Sequence, residues 1–122
     1  RVEAVDRKYP QYCCVCTIYR VDNYSGTFTV TFDGWTSTYD YEAKRSDLWK
    51  DIFPIGYTPK DKLNAPKNYV NLHSGTKEFS WEVYLDEKNT RSAPPLAWFM
   101  YTGKFDEKCT AEFASKLRVL SV

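Results

Sequence analysis

The segment Thr27-Phe28-Thr29-Val30-Thr31-Phe32 alternates threonine with large apolar side chains, and it follows the turn-forming residues Asn23-Tyr24-Ser25-Gly26. Period-two alternation is the signature of a strand with one buried face, and the turn pairs it with the Val-, Ile-, Tyr- and Cys-rich stretch Tyr12 to Val21. Val2 to Val5 is a further strand, separated from that stretch by a polar loop running from Asp6 to Pro10. Asp33-Gly34 breaks the alternating strand, and Tyr39-Asp40-Tyr41 is expected to resume an extended path after a short connection. Ile52 to Tyr57 reads as a last short strand or 3₁₀ turn. Four or five short strands in about 57 residues close most economically as a small barrel, because closure removes the edges that so small a sheet exposes.

Beyond residue 57 the composition changes. Thr58 to Lys77 carries Pro59, Pro66, Gly75 and several Lys and Asn without periodicity, which predicts a linker that wraps or spans and is not a packed element. Ser80 is a candidate N-cap, and Trp81, Tyr84 and Leu85 share one face of a helix expected from Trp81 to Lys88. Ala93-Pro94-Pro95 ends that helix, and the apolar run to Phe99 is expected to dock on the barrel. Asp106 to Lys116 suggests a second short helix and Leu117 to Val122 a terminal strand. The organisation expected is therefore a core over 1–57, a linker over 58–78, an arm over 79–100 and a tail over 101–122. The opening Arg1, inside an apolar-alternating segment, reads as the start of a fragment of something longer.

Seventeen Lys and Arg against sixteen Asp and Glu give a net charge of +1, which does not favour a nucleic-acid partner held by bulk charge. No stretch approaches the apolar length of a membrane span. Cys13, Cys14 and Cys16 crowd one strand-like stretch where neighbours face opposite ways, so reduced thiols are expected, and the lone His73 lies far from them, so neither a metal nor another cofactor is expected. One histidine, no phosphate loop and no nucleophile elbow argue against an enzyme.

Aromatic residues are in excess: ten Tyr, seven Phe and four Trp make 21 of 122 residues. Phe32, Trp35 and Tyr39 cross the break between two strands, where a loop can turn three rings toward one point. Such a cage attracts a soft methylated ammonium through the ring quadrupoles. A buried carboxylate adds a charge-assisted hydrogen bond to any remaining N–H, and Asp6 is the candidate, placed between the first two strands at one mouth of the barrel. The competing readings are ordinary: Phe32 as core, Tyr39 as a plug of the barrel end, Asp6 as the cap of its own turn. Trp49, Trp81 and Trp98 read as structural, joining arm to barrel.

Val2-Glu3-Ala4-Val5-Asp6-Arg7, Phe32-Asp33-Gly34-Trp35 with Tyr39-Asp40-Tyr41, and Phe53-Pro54-Ile55-Gly56-Tyr57 resemble, in order, the opening strand, hallmark and closing motif of the malignant brain tumour (MBT) repeat. Phe79-Ser80-Trp81-Glu82-Val83-Tyr84-Leu85 followed by Ala93-Pro94 is similar to that family's helical arm. The resemblance implies a mainly β chain, a small Tudor-like or SH3-like β-barrel with an extended, partly helical arm. It implies a pocket for mono- or dimethyl-lysine walled by Phe32, Trp35 and Tyr39, with Asp6 on the methylammonium proton and Cys14 bordering the pocket. The partners implied are methylated histone tails, neighbouring MBT repeats and other chromatin-complex proteins, in the nucleus and in transcriptional repression. The alternative is a repeat that binds no methyl-lysine and serves as a scaffold. Tyr9 stands where family pockets often have asparagine, and its hydroxyl substitutes or its bulk narrows the mouth. Phe53 and Tyr57 replace the usual histidine and tryptophan, changes expected to affect packing.

Overall fold

The computed structural model describes residues 1–22 and 24–92. Six strands and one helix follow in chain order: β1 (Val2–Val5), β2 (Cys13–Asp22), β3 (Thr27–Phe32), β4 (Tyr41–Lys44), β5 (Ile52–Phe53), β6 (Leu63–Asn64) and α1 (Trp81–Glu87). The sheet order is β4-β3-β2-β1-β5, antiparallel throughout, with β6 added in parallel beside the start of β2. It curls into a half-barrel. Among the described residues no ladder joins β4 to β5, and Trp49 N–H donating to Ile52 O at 2.9 Å spans part of that gap.

The long β2 makes the curl possible. Its first half pairs with β1 and its second half with β3, and the register slips between Tyr19 and Asp22, where Arg20 takes a φ of 52°. An extra residue on one strand bends it and sharpens the twist. The concave face buries Val2, Ala4, Cys14, Cys16, Val30, Phe32, Ala43 and Ile52 as one core, with Trp49 packed on it. Trp49 packs on the barrel core and on Tyr57, at 5.9 Å between rings. Phe53 and Tyr57 stack face to face at 4.2 Å, so the two unusual residues at these positions make a packing pair.

The opposite face of β1 and β2 is buried as well, because residues on a strand alternate between faces and the arm covers this one. Val15 packs there with Phe79 and Tyr84, and Glu3, its partner across the ladder, is fully buried at 0% exposure. Glu3 Oε2 accepts from Gly56 N at 2.6 Å and from Trp81 Nε1 at 2.7 Å, while Oε1 accepts from Thr58 N at 2.7 Å. Burial pushes this carboxyl up from its ordinary range, against the opposing pull of those hydrogen bonds. The helix expected from Trp81 is present, starting at Ser80, whose Oγ accepts from Val83 N at 3.4 Å. The cysteines described, Cys13, Cys14 and Cys16, are free thiols, and burial pushes Cys13 up to about 12.

Two expectations need correction. Tyr39 does not resume a strand: Ser37–Tyr39 is a 3₁₀ turn, closed by Asp40 N–H donating to Ser37 O at 3.0 Å, and β4 begins only at Tyr41. Nor is the stretch from Thr58 to Lys77 unpacked. It contains β6, in register with Cys13 and Cys14, and a loop organised by buried Asn71, which accepts from His73 N and Ser74 N and donates to Glu78 O. Its backbone also presses on Gly34, where a Cβ would lie 2.8 Å from Lys67 N at a φ of 81°. The expected docking of residues 93–99, the second helix, the terminal strand and the role of Trp98 fall outside the described residues.

Two stability measurements follow. Trp81→Phe keeps a ring but removes one donor from a buried carboxylate, and a loss of about 1–3 kcal/mol is expected in urea unfolding; an unchanged midpoint would show that the indole N–H adds nothing. Gly34→Ala combines left-handed backbone strain with a backbone clash and is expected to cost about 1–3 kcal/mol. A neutral result would mean that the Lys67 backbone yields freely.

Candidate functional site

A cavity of about 420 Å³ opens at one end of the half-barrel. That is within the range of small-molecule sites, about 300–1,000 Å³. Asp6, Phe32, Trp35 and Tyr39, singled out in the sequence, all line it, together with Tyr9, Gln11, Tyr12, Cys14 and Asn64. Strand ends and loops deliver them. Asp6, Tyr9, Gln11 and Tyr12 belong to the β1–β2 connection, Cys14 to β2, Phe32 to the end of β3, Trp35 and Tyr39 to the β3–β4 connection, and Asn64 to β6.

The three rings differ in depth. Phe32 is buried and serves two purposes at once, since it belongs to the barrel core and forms part of the cavity lining. Trp35 is 40% exposed and meets Tyr39 edge-on, with ring centroids 6.2 Å apart at 77°. Its position follows from the backbone: Trp35 N–H donates to Phe32 O at 3.1 Å across the Asp33-Gly34 turn, and Tyr39 N–H donates to Thr36 O at 3.3 Å. Asp33, between Phe32 and the loop that carries Trp35, is gripped from both sides. Thr17 Oγ1 donates to its Oδ1 and the Tyr84 hydroxyl to its Oδ2, each at 2.6 Å, so the arm helix helps hold the β3–β4 connection.

Asp6 is 8% exposed. Its Oδ1 accepts from Lys8 N at 2.9 Å and Tyr9 N at 3.3 Å, the turn-capping role that the ordinary reading assigns it. That turn leaves Oδ2 out, so capping and lining a cavity coexist in one carboxylate. Its neighbours are pinned on both sides. Val5 N–H donates to Asp51 O at 2.8 Å and Val5 O accepts from the Tyr41 hydroxyl at 3.1 Å. The Arg7 guanidinium lies 3.9 Å over the Tyr41 ring, pairs with Asp47 and Asp51 at 3.4 Å each, and donates to Glu42 O at 3.3 Å. Cys14 borders the cavity as a thiol pushed up by burial, with Asn64 Nδ2 donating to its Sγ at 3.6 Å and the Asp6 charge pushing in the same direction as burial.

Asn64 was not legible as a lining residue, because it arrives on a two-residue strand from a segment with no periodic pattern. Gln11 and Tyr12 carried no signal either. Tyr9, 50% exposed, stands at the mouth and does not fill the cavity. Chemically, three rings and one buried carboxylate around a single opening suit a soft cation that keeps at least one N–H: the rings stabilise its charge, and the carboxylate accepts its proton donor.

Residues 1–70 match the sequence model of the family described as "mbt repeat". Over 100 residues, 80% of the chain, it is 36% identical to lethal(3)malignant brain tumor-like protein 1 of Mus musculus. Over 96 residues, 63% of the chain, it is 38% identical to Polycomb protein SCMH1 of Homo sapiens. These stretches amount to 11% and 14% of those relatives' lengths, so the chain corresponds to a small part of each. Among solved structures, the four MBT repeats of Drosophila melanogaster Sfmbt, in complex with the peptide RHR(me)KVLR, align with 55% of this chain and 15% of that one at 32% identity and a TM-score of 0.48. With more than half of its length matched to the family, and the match taking in β1 to β6 and every residue lining the cavity, the chain belongs to the MBT repeat family.

Proposed function

We propose that the cavity receives the side chain of mono- or dimethyl-lysine end-on, and that the chain is a binding module reading this mark on histone tails. The observation that carries this reading is the convergence of Asp6 with Phe32, Trp35 and Tyr39 on one opening. Phe32 forms the inner wall, Trp35 and Tyr39 the outer walls, and Asp6 Oδ2 accepts the N–H that the lower methylation states retain. Trimethyl-lysine has no N–H to give, so it forgoes the charge-assisted hydrogen bond and adds a methyl group beside a carboxylate. Unmodified lysine is small and strongly hydrated, and gains less from the rings than the cost of its desolvation.

Membership of the MBT family, and a relative named as a Polycomb protein, support a place in chromatin and hence in the nucleus, with transcriptional repression as the outcome. Because the chain corresponds to a small part of its relatives, neighbouring repeats or other subunits of a chromatin complex are the partners proposed beside the histone tail. Affinity for a single mark is expected to be weak, roughly micromolar to millimolar, since one enclosed cation leaves little surplus after the entropy of association. Linked repeats raise the effective affinity.

The experiment is an NMR titration with unmodified, mono-, di- and trimethyl-lysine, following the Trp35 indole in the wild type and in Asp6→Ala. Mono- and dimethyl-lysine are expected to give saturable shifts, with affinity falling about tenfold or more in Asp6→Ala, the size of a lost hydrogen bond to a charged group. Equal binding of the trimethyl form would remove Asp6 from the mechanism. Silence at millimolar ligand, with the protein folded, would leave the scaffold reading.

A further inference from the structure

Two ammonium groups stand on the outer rings of the cavity. Lys8 Nζ lies 5.3 Å from the centroid of the Tyr39 ring, and Lys67 Nζ lies 5.6 Å from that of Trp35. They arrive from parts of the chain far apart in sequence, and each is placed by its backbone. Lys8 N–H donates to Asp6 Oδ1 in the turn beside the opening, while Lys67 N packs where Gly34 leaves room, next to Trp35. Both side chains are exposed, and among the described residues neither forms an ion pair. Arg7 and Lys60, by contrast, are engaged away from the opening: Arg7 pairs with Asp47 and Asp51, and Lys60 with Glu78.

The rest of the mouth is aromatic and neutral. Tyr12, 47% exposed, joins Tyr9 and Trp35 there, and Asp6, the single acid among the lining residues, is buried. A peptide that inserts a methyl-lysine must lay its neighbouring residues over this rim. Basic neighbours would meet two ammonium groups, and acidic neighbours would meet two cations that form no ion pair among the described residues. Charges at a rim act mainly by selecting among partners and by speeding encounter. We propose that this repeat takes methyl-lysine in an acidic sequence context, with Lys8 and Lys67 pairing the carboxylates that flank the mark. The proposal rests on the methyl-lysine reading of the cavity.

The test uses the whole 122-residue chain and its Lys8→Gln/Lys67→Gln double variant. The probes are free dimethyl-lysine, dimethyl-lysine peptides flanked on both sides by Asp or by Lys, and the Asp-flanked peptide without methylation. At low salt the Asp-flanked methylated peptide is expected to bind about threefold to tenfold more tightly than the Lys-flanked one, as two exposed charge pairs imply. The ratio should shrink as salt is raised and collapse toward one in the double variant. A wild-type ratio near one, with free dimethyl-lysine still saturating the cavity, overturns the acidic context and leaves the methyl-lysine reading standing. Equal binding of the unmethylated Asp-flanked peptide also overturns the proposal, since the lysines would then act apart from the cage. If free dimethyl-lysine itself does not bind, the cavity reading falls and this inference falls with it.

Discussion

The carboxylate of Glu3 sits with no exposure between the sheet and the arm, and two parts of the chain aim three N–H groups at it. Gly56 and Thr58 come from the exit of β5, and Trp81 from the first turn of α1, so one side chain on β1 gathers segments more than fifty residues away in sequence. A buried carboxylate is costly unless its oxygens are satisfied, and three good donors offset that cost while fixing the geometry of whatever carries them. Apolar packing of Val15, Phe79 and Tyr84 supplies the bulk of the attraction between arm and barrel, but such packing tolerates sliding. The directional bonds to Glu3 do not, and they set where α1 begins.

From that anchor the arm reaches the cavity. Tyr84, one helical turn beyond Trp81, places its hydroxyl on Asp33, which lies between Phe32 of the core and Gly34 of the β3–β4 connection. The segment between β5 and α1 completes the hold, with β6 against β2 and the Pro66-Lys67 backbone against Gly34. The rings of Phe32, Trp35 and Tyr39 are thus oriented by contacts on the far side of their own backbone. The Asp6 side of the opening is fixed separately through Val5, Arg7 and Tyr41. Two independently braced loops face one opening, so little ordering is left for a ligand to impose there.

Much of this was legible in the sequence. The alternation through Phe32 specified β3 and its hairpin with β2, and Ser80 with the Trp81, Tyr84 and Leu85 spacing specified the helix. Phe32, Trp35, Tyr39 and Asp6, which line the cavity, stand out in the sequence because they sit at strand ends and breaks. What stayed hidden depends on contacts between distant segments. Leu63 and Asn64 form a strand only because β2 offers them an edge, and two residues carry no period. Proline and lysine in that segment signalled a linker, although proline is compatible with a packed loop that needs few backbone donors. The aromatic neighbours of Tyr39 suit a strand, but the hydrogen bond from Asp40 N–H back to Ser37 O closes a turn there.

The central claim is that the methylammonium group sits among Phe32, Trp35 and Tyr39 with its remaining N–H toward Asp6. Nuclear Overhauser effects between the N-methyl protons of bound dimethyl-lysine and the protein test it most directly, because they report proximity without passing through affinity. Cross-peaks to the rings of all three residues are the result expected. Cross-peaks confined to Tyr9 and Tyr12 at the mouth, with none to Phe32, would contradict the account, since the cation would then rest on the rim and never enter the cavity.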